Sequence, residues 1–218
     1  MQESRKILTP EQRRKQRHEE MRETILEVAR EMMRAEGAGA LSWNEIARRV
    51  GLKPPSLYVY FDDKMAIYDA LFRRGYEQYG ALMAEVVEAN PPGWGALRAA
   101  AEAHFQFCLQ NPDLFQIMFE RPIPGFEPSP ESLRVSFGAL EKGQRHFAEM
   151  ISVEEIEPDL PPEQAFDLWI ALEHGLIAQH LANQPELPMG EGRFGSLIPA
   201  AMDLFKAAWG RKGDTDDD

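Results

Sequence analysis

Tyr58, Val59 and Tyr60 follow one another directly, and three successive residues of a short helix cannot all turn inward. Part of this segment must therefore offer phenol and apolar groups to a partner. Farther along, His104 and Cys108 stand four apart, a spacing that can place two metal ligands on one helical face, and His174 could join them after folding. Two such ligands without a recognisable third do not define a site, so no metal and no cofactor is expected. The chain carries no glycine-rich phosphate loop, no nucleophile elbow and no acid and base that the sequence places together, which argues against an enzyme.

The elements that must position these residues read as helices throughout. Met21, Ile25, Val28, Ala29 and Met32 fall on one face of a helix expected from about Arg17 to Glu36, ending at Gly37. Ser42 and Glu45 have the spacing of a capping box ahead of a short helix carrying Ile46, Ala47 and Val50. Gly51 supplies a tight turn, and Pro54 and Pro55 suit the first turn of a third helix over about Pro54 to Tyr60. Helix, glycine-containing turn and helix is the layout that places its second member in a DNA major groove. Asp62-Asp63-Lys64 restarts a helix that runs to Tyr79 or beyond. Further helices are expected over 94–110, 112–119, 130–151, 162–183 and 193–209, separated by proline- and glycine-containing breaks. The stretch Arg121 to Pro130, with four prolines and Gly125, reads as an ordered loop over the body. No segment alternates as a strand should. The expected fold is all-α, with an N-terminal arm and three-helix helix-turn-helix domain over 1–64, a helical regulatory and dimerisation domain over 65–212, and a disordered tail over 213–218.

Composition is compatible with this layout. Net charge is −12, yet residues 1–80 hold 15 Lys and Arg against 13 Asp and Glu, while the remainder holds 9 against 23. A mildly basic head on an acidic body can still face phosphates, because screening over about 8 Å hides distant carboxylates. The run Arg13-Arg14-Lys15 with Arg17 reads either as an arm reaching DNA or as a solvated helix face. A single cysteine excludes an intramolecular disulfide and suits a reducing cytoplasm, and the apolar runs are too broken for a signal peptide or membrane span.

The stretch ETILEVAREMMRAEGAGALSWNEIARRVGLKPPSLYVYFDDKMAIYDAL, residues 23–71, resembles the DNA-binding domain of the TetR family of bacterial regulators, most specifically in IARRVGLKPPSLYVYFDDK. LWIALEHGLIAQHL, residues 168–181, is similar to a Trp/His/Gly-containing helix of some members. The resemblance implies that Tyr58, Tyr60 and Lys64 contact phosphates, that Ser42 and Ser56 add hydroxyl contacts, and that Lys53, Pro54, Pro55 and Val59 approach base edges. Phosphate contacts of this kind fix register, and base contacts specify sequence. Lys53 stands where a Ser or Thr cap is usual, and Pro54-Pro55 replace smaller residues, leaving a stiff and apolar reading surface. Trp43 and Phe61 read as packing residues.

In the body, Phe105, Phe107, Phe115, Met118, Phe119, Phe137 and Trp169 supply more aromatic and flexible apolar surface than a thin helical layer needs. His104, Cys108, Gln144, His174 and Gln179 could add polarity to a cavity. The expected ligand-facing set is His104, Phe105, Cys108, Phe115, Met118, Phe119, Phe137, Trp169 and His174. By resemblance, the helices over 162–183 and 193–209 pair with their symmetry mates through Leu168, Leu172, Leu176, Leu197, Ala201, Leu204 and Phe205. The expected protein is a cytoplasmic homodimer that binds an inverted-repeat operator in double-stranded DNA and is released by a small-molecule effector. Two alternatives stand beside it. One is a DNA-binding regulator that answers to a protein partner or to no ligand, and the other a helical carrier or enzyme with a vestigial DNA head.

Overall fold

The computed structural model describes residues 9–120, 122–153 and 156–210, and the tail over 213–218 lies outside them. The described elements are helical, save one isolated bridge between Ile156 and Gly210. Helix α1 spans Pro10–Glu36, starting seven residues before its apolar periodicity does. Its start is set by Thr9, which accepts the Gln12 amide at 3.2 Å while the Gln12 side chain accepts the Thr9 amide at 2.9 Å. Gly37, at a φ of 92°, ends it.

α2 covers Trp43–Arg49. The expected capping box at its start does not form, because Ser42 caps nothing and Glu45 is taken by guanidiniums one turn ahead. Arg48 reaches it at 2.6 Å and Arg49 at 2.7 Å, and these hydrogen bonds hold the Glu45 carboxyl down to about 2. Gly51, at a φ of 72°, turns the chain so that the Leu52 amide donates back to the Ala47 carbonyl at 2.8 Å. The third helix of the head is a 3-10 helix over Pro54–Val59, not an α-helix. Three-residue closures from Ser56 to Lys53 and from Tyr60 to Leu57, each 2.8 Å, define it, and the two prolines fix φ at its start without donors of their own.

α3 runs over Lys64–Ala89, capped by the Asp63 side chain on the Ala66 amide. The division expected at 64/65 falls in its first turn, so one rod belongs to both head and body. α4 (Trp94–Gln110), α5 (Pro112–Phe115) with its π-type continuation over Gln116–Glu120, α6 (Pro130–Met150), α7 (Pro162–Asn183) and α8 (Ile198–Trp209) complete the chain. The last expected helix, 193–209, is split. A 3-10 turn over Gly195–Leu197 precedes α8, because Pro199 belongs in a first helical turn.

Two apolar clusters hold these helices. The larger runs without a break from Ile25, Ala29, Ile46, Leu57 and Phe61 in the head through Ile67, Tyr68 and Leu71 to Phe105, Leu114, Phe115 and Ile117 in the body. The smaller joins Leu97, Phe147, Trp169, Phe205 and Trp209. The loop before α6 packs Phe126 against Tyr68 and Phe72, and Asp69 on α3 accepts the Ser129 amide at 2.7 Å and its hydroxyl at 2.9 Å, pinning the start of α6 to α3.

Candidate functional site

The surface expected from sequence to read DNA is held from behind. Leu57 is fully buried, which forces the neighbouring positions outward, and Tyr58 and Val59 are 61% and 67% exposed. Lys53, Pro55 and Ser42 are exposed beside them, while Pro54, Ser56, Tyr60 and Lys64 are half-buried. Trp43 donates its indole N–H to the Pro54 carbonyl at 3.2 Å and packs on Tyr58 at 5.0 Å between ring centres. α1 fixes the other end. His18 Nε2 sits 3.1 Å from the Val59 carbonyl oxygen, Arg22 donates to the Tyr60 carbonyl, and the Arg22 guanidinium lies 4.1 Å above the Phe61 ring. Trp43 and the buried Phe61 therefore act inside the head as scaffold. Arg14, Arg17 and His18 border a cleft closed by Val59 and Tyr60, so the basic stretch of α1 and the reading surface share one side of the molecule.

The body encloses a cavity of about 300 Å³ between α3, α4, α6 and α7, at the lower end of the range for small-molecule sites. Its walls are apolar and aromatic, with Tyr76, Tyr79, Met83 and Val87 from α3 and Phe137, Leu140 and Phe147 from α6. Glycines at Gly80 and Gly143 leave room where side chains would intrude. α7 contributes Phe166, Trp169, Ile170, Glu173 and His174, α4 contributes His104, and Phe119 comes from the π-type turn. The His104 and His174 rings stack at 5.1 Å, and Phe119 meets His174 at 4.5 Å.

Burial sets the protonation of this polar end. It pushes His104 down to about 3, with His174 adding to the effect, and His174 down to about 4, so both imidazoles are neutral at pH 7. Burial lifts the Glu173 carboxyl to about 8 against the pull of a hydrogen bond from Trp169, and it lifts the Tyr79 phenol well above its ordinary range. Oε1 of Glu173 and Nδ1 of His104 are shut from solvent without a hydrogen-bond partner.

Of the ligand-facing residues expected from sequence, His104, Phe119, Phe137, Trp169 and His174 border the cavity. Phe105, Cys108, Phe115 and Met118 do not; they are buried in the larger apolar cluster. Cys108 is 4.0 Å from His104 with its thiol pushed upward by burial, and among the described residues no three His, Cys, Asp or Glu side chains converge to hold a metal. Sequence reasoning passes over Tyr76, Tyr79, Glu173 and, apart from Phe137, the α6 wall. Glu173 does leave a signal, as the one carboxylate in LWIALEHGL, where only His174 beside it is also polar.

A sequence profile describing bacterial regulatory proteins of the tetR family matches residues 25–71, the stretch from mid-α1 through the reading surface into α3. The N-terminal domain is that of the TetR family. The transcriptional activator FasR of Mycolicibacterium smegmatis is 29% identical over 102 residues, covering 47% of each chain, so this chain spans about half the length of the curated relatives it matches. The fold likeness reaches farther. PfmR of Thermus thermophilus, a TetR-family regulator, superposes with a TM-score of 0.66 at 20% identity over 94% of this chain and 100% of its own. FadR of Bacillus subtilis, solved with stearoyl-CoA, does so with 0.66 at 17% identity over 85% and 98%. The all-α architecture, a TetR-family head followed by a helical body, is therefore that of the chain as a whole.

The residues expected to pair two copies divide into two sets. Leu168, Leu197 and Leu204 lie on the surface of α7 and the α8 region, 47%, 43% and 66% exposed. Leu172, Leu176, Ala201 and Phe205 line a narrow inner cleft between the same helices, and Phe205 stacks on Trp209 at 4.4 Å inside the smaller cluster. Phe205 packs the protomer and is not available at its surface. Among the described residues no helix is long and apolar enough to cross a membrane.

Proposed function

We propose that the protein is a sequence-specific transcriptional regulator that binds an inverted-repeat operator as a homodimer and is released by a small molecule taken into the body cavity, acting by binding and not by catalysis. The observation that carries this reading is the continuity of α3, whose first turn supports the TetR-family head and whose middle walls the cavity through Tyr76, Tyr79 and Gly80. The unit over 1–64 reads DNA, and the unit over 65–212 senses and dimerises. Tyr58, Tyr60, Lys64, Ser42 and Ser56 hold phosphates, while Lys53, Pro54, Pro55 and Val59 face base edges. One short reading helix buries little surface, so two copies separated by one turn of DNA, about 34–36 Å, are required for useful specificity.

Ligand in the cavity displaces the α3 wall and changes the separation of the two heads. Ligand and operator then oppose each other with a coupling of about 1–3 kcal/mol. A cytoplasmic setting follows from contact with DNA. The test is selection of bound sequences from random duplexes at moderate salt with the full chain. Enrichment of an inverted repeat with half-sites about one turn apart supports the reading, and binding that vanishes with salt without any enriched motif refutes it.

A further inference from the structure

Among the described residues, the polar end of the cavity is built around a carboxyl with no cation beside it. Glu173 lies in the middle of α7 with its Oε1 shut from solvent and unpartnered. A buried ionised carboxyl costs several kcal/mol unless a positive group offsets it. Tyr79 faces it from α3, His104 and Cys108 from α4, and Trp169 and His174 from its own helix. None brings positive charge, since burial holds both imidazoles neutral at pH 7. The α6 wall adds His146 and one fixed cation, Lys142, which is exposed. Among the described residues, a ligand carboxylate reaching the inner end would meet another acid and no cation, whereas an ammonium would meet an acceptor and the faces of several rings.

We propose that the cavity takes a lipophilic cation, its ammonium group held at the Glu173 carboxylate among the rings of Tyr79, Phe119 and Trp169 and its apolar body running between α3 and α6 toward Phe137. This rests on the ligand-sensing reading given above. Binding releases the proton that Glu173 otherwise keeps, so affinity for a permanent cation rises by about tenfold from pH 7 to pH 9.

The test is calorimetric titration of the full chain with three probes of one shape: phenylbutyltrimethylammonium, its neutral carbon isostere ending in tert-butyl, and phenylvalerate. The cation is expected to bind at least about tenfold tighter than either of the others. Glu173→Gln is expected to abolish that preference, and the wild-type pH profile tests the same point without a variant, because the isostere's affinity stays flat while the cation's rises. Equal or tighter binding of the acid or the isostere overturns the cation and leaves ligand sensing standing. Failure of all three probes to bind also overturns it, and ligand sensing then rests on operator release alone.

Discussion

Arg30, in the second half of α1, donates its Nε–H to the Asp113 carboxylate of α5 at 2.6 Å, and Asp113 is wholly buried. A second guanidinium nitrogen of Arg30 reaches Asn111 at 2.7 Å, and Arg34 adds a further contact to Asp113 at 3.0 Å. The long helix that clamps the reading surface at His18 and Arg22 is thus bolted at its other end to the turn that carries Phe119 into the cavity. Beside α3, this is a second rigid connection between cavity and head, and it is charged where α3 is apolar.

Removing the acid strands the Arg30 guanidinium, whose side chain is only 13% exposed. Asp113→Ala is expected to cost about 3 kcal/mol and to lower the thermal midpoint by about 6–12 °C. Arg34→Ala, at a side chain 43% exposed, should cost within about 1 kcal/mol. Circular dichroism melts of the two variants check the order, and equal effects would show that Asp113 is not held chiefly by Arg30.

Tyr58 and Lys64 should separate DNA affinity from stability. Tyr58 is mostly exposed, so Tyr58→Ala should leave the melt within about 0.5 kcal/mol of wild type while weakening operator binding at least about tenfold. Lys64→Ala should weaken binding to all sequences alike and reduce the salt slope by about 1. Fluorescence anisotropy over a salt series reads both. An unchanged slope removes Lys64 from the phosphate contacts.

Much of this arrangement is legible in the sequence because proline marks helix starts physically. Pro112, Pro130 and Pro162 each begin the helix expected of them, and the ends of α4, α6 and α7 fall within one residue of their apolar periodicity. The early turns of α1 escape the periodicity because they are polar all round, so only the Thr9-Pro10-Glu11-Gln12 cap announces them. Conversely, Ser42 and Glu45 have cap spacing but not cap geometry, since spacing says nothing of the two arginines competing for Glu45. The mixed fate of the α7 and α8 leucines has another cause. α7 is apolar on nearly every side, and periodicity cannot tell the face toward Trp169 and Phe205 from the face toward a second copy. The cavity is harder still to read, because its α6 wall mixes Phe137, Leu140 and Phe147 with Ser136, Lys142, Gly143 and His146, and no single periodic face announces it.

Two glycines of α3 make a matched pair. A Cβ at Gly80 meets nothing within 4 Å, whereas a Cβ at Gly75 would run into the Met118 side chain. Gly80→Ala should stabilise by about 1 kcal/mol, and Gly75→Ala should cost about 1–3 kcal/mol. Chemical denaturation of the two proteins distinguishes them. A gain at both positions would mean that Met118 yields freely.

The buried polar end makes stability depend on pH in two opposed ways. Glu173 binds its proton more tightly folded than unfolded, so it costs nothing below about pH 4.5 and progressively destabilises up to about pH 8. His104 and His174 bind theirs more weakly folded, so their contribution is intact above about pH 6.5 and falls away as pH drops toward 4. Glu173→Gln should therefore be more stable than wild type at pH 9, by about 2–4 kcal/mol, with the gap closing by pH 5. Its stability should stay level above pH 6.5, where that of wild type declines. Melts across this range decide it, and parallel curves for the two proteins would mean that the Glu173 carboxyl is solvated after all.

The exposed leucines of α7 and α8 give the last prediction. Leu168 and Leu204 lie on neighbouring helices with their side chains in solvent, while Phe205, next in sequence, is locked against Trp209. If these helices pair two copies, a charge placed at an exposed leucine must be buried in a self-complementary patch opposite its own symmetry mate. Leu204→Arg should then yield a folded monomer, with a melt close to that expected for the protomer and operator affinity reduced at least about 100-fold, because a half-site alone binds weakly. Phe205→Ala should instead cost about 3–5 kcal/mol by opening the core, whatever the state of assembly. Light scattering at micromolar concentration separates the two effects. A Leu204→Arg protein that remains dimeric would move the pairing surface off α8.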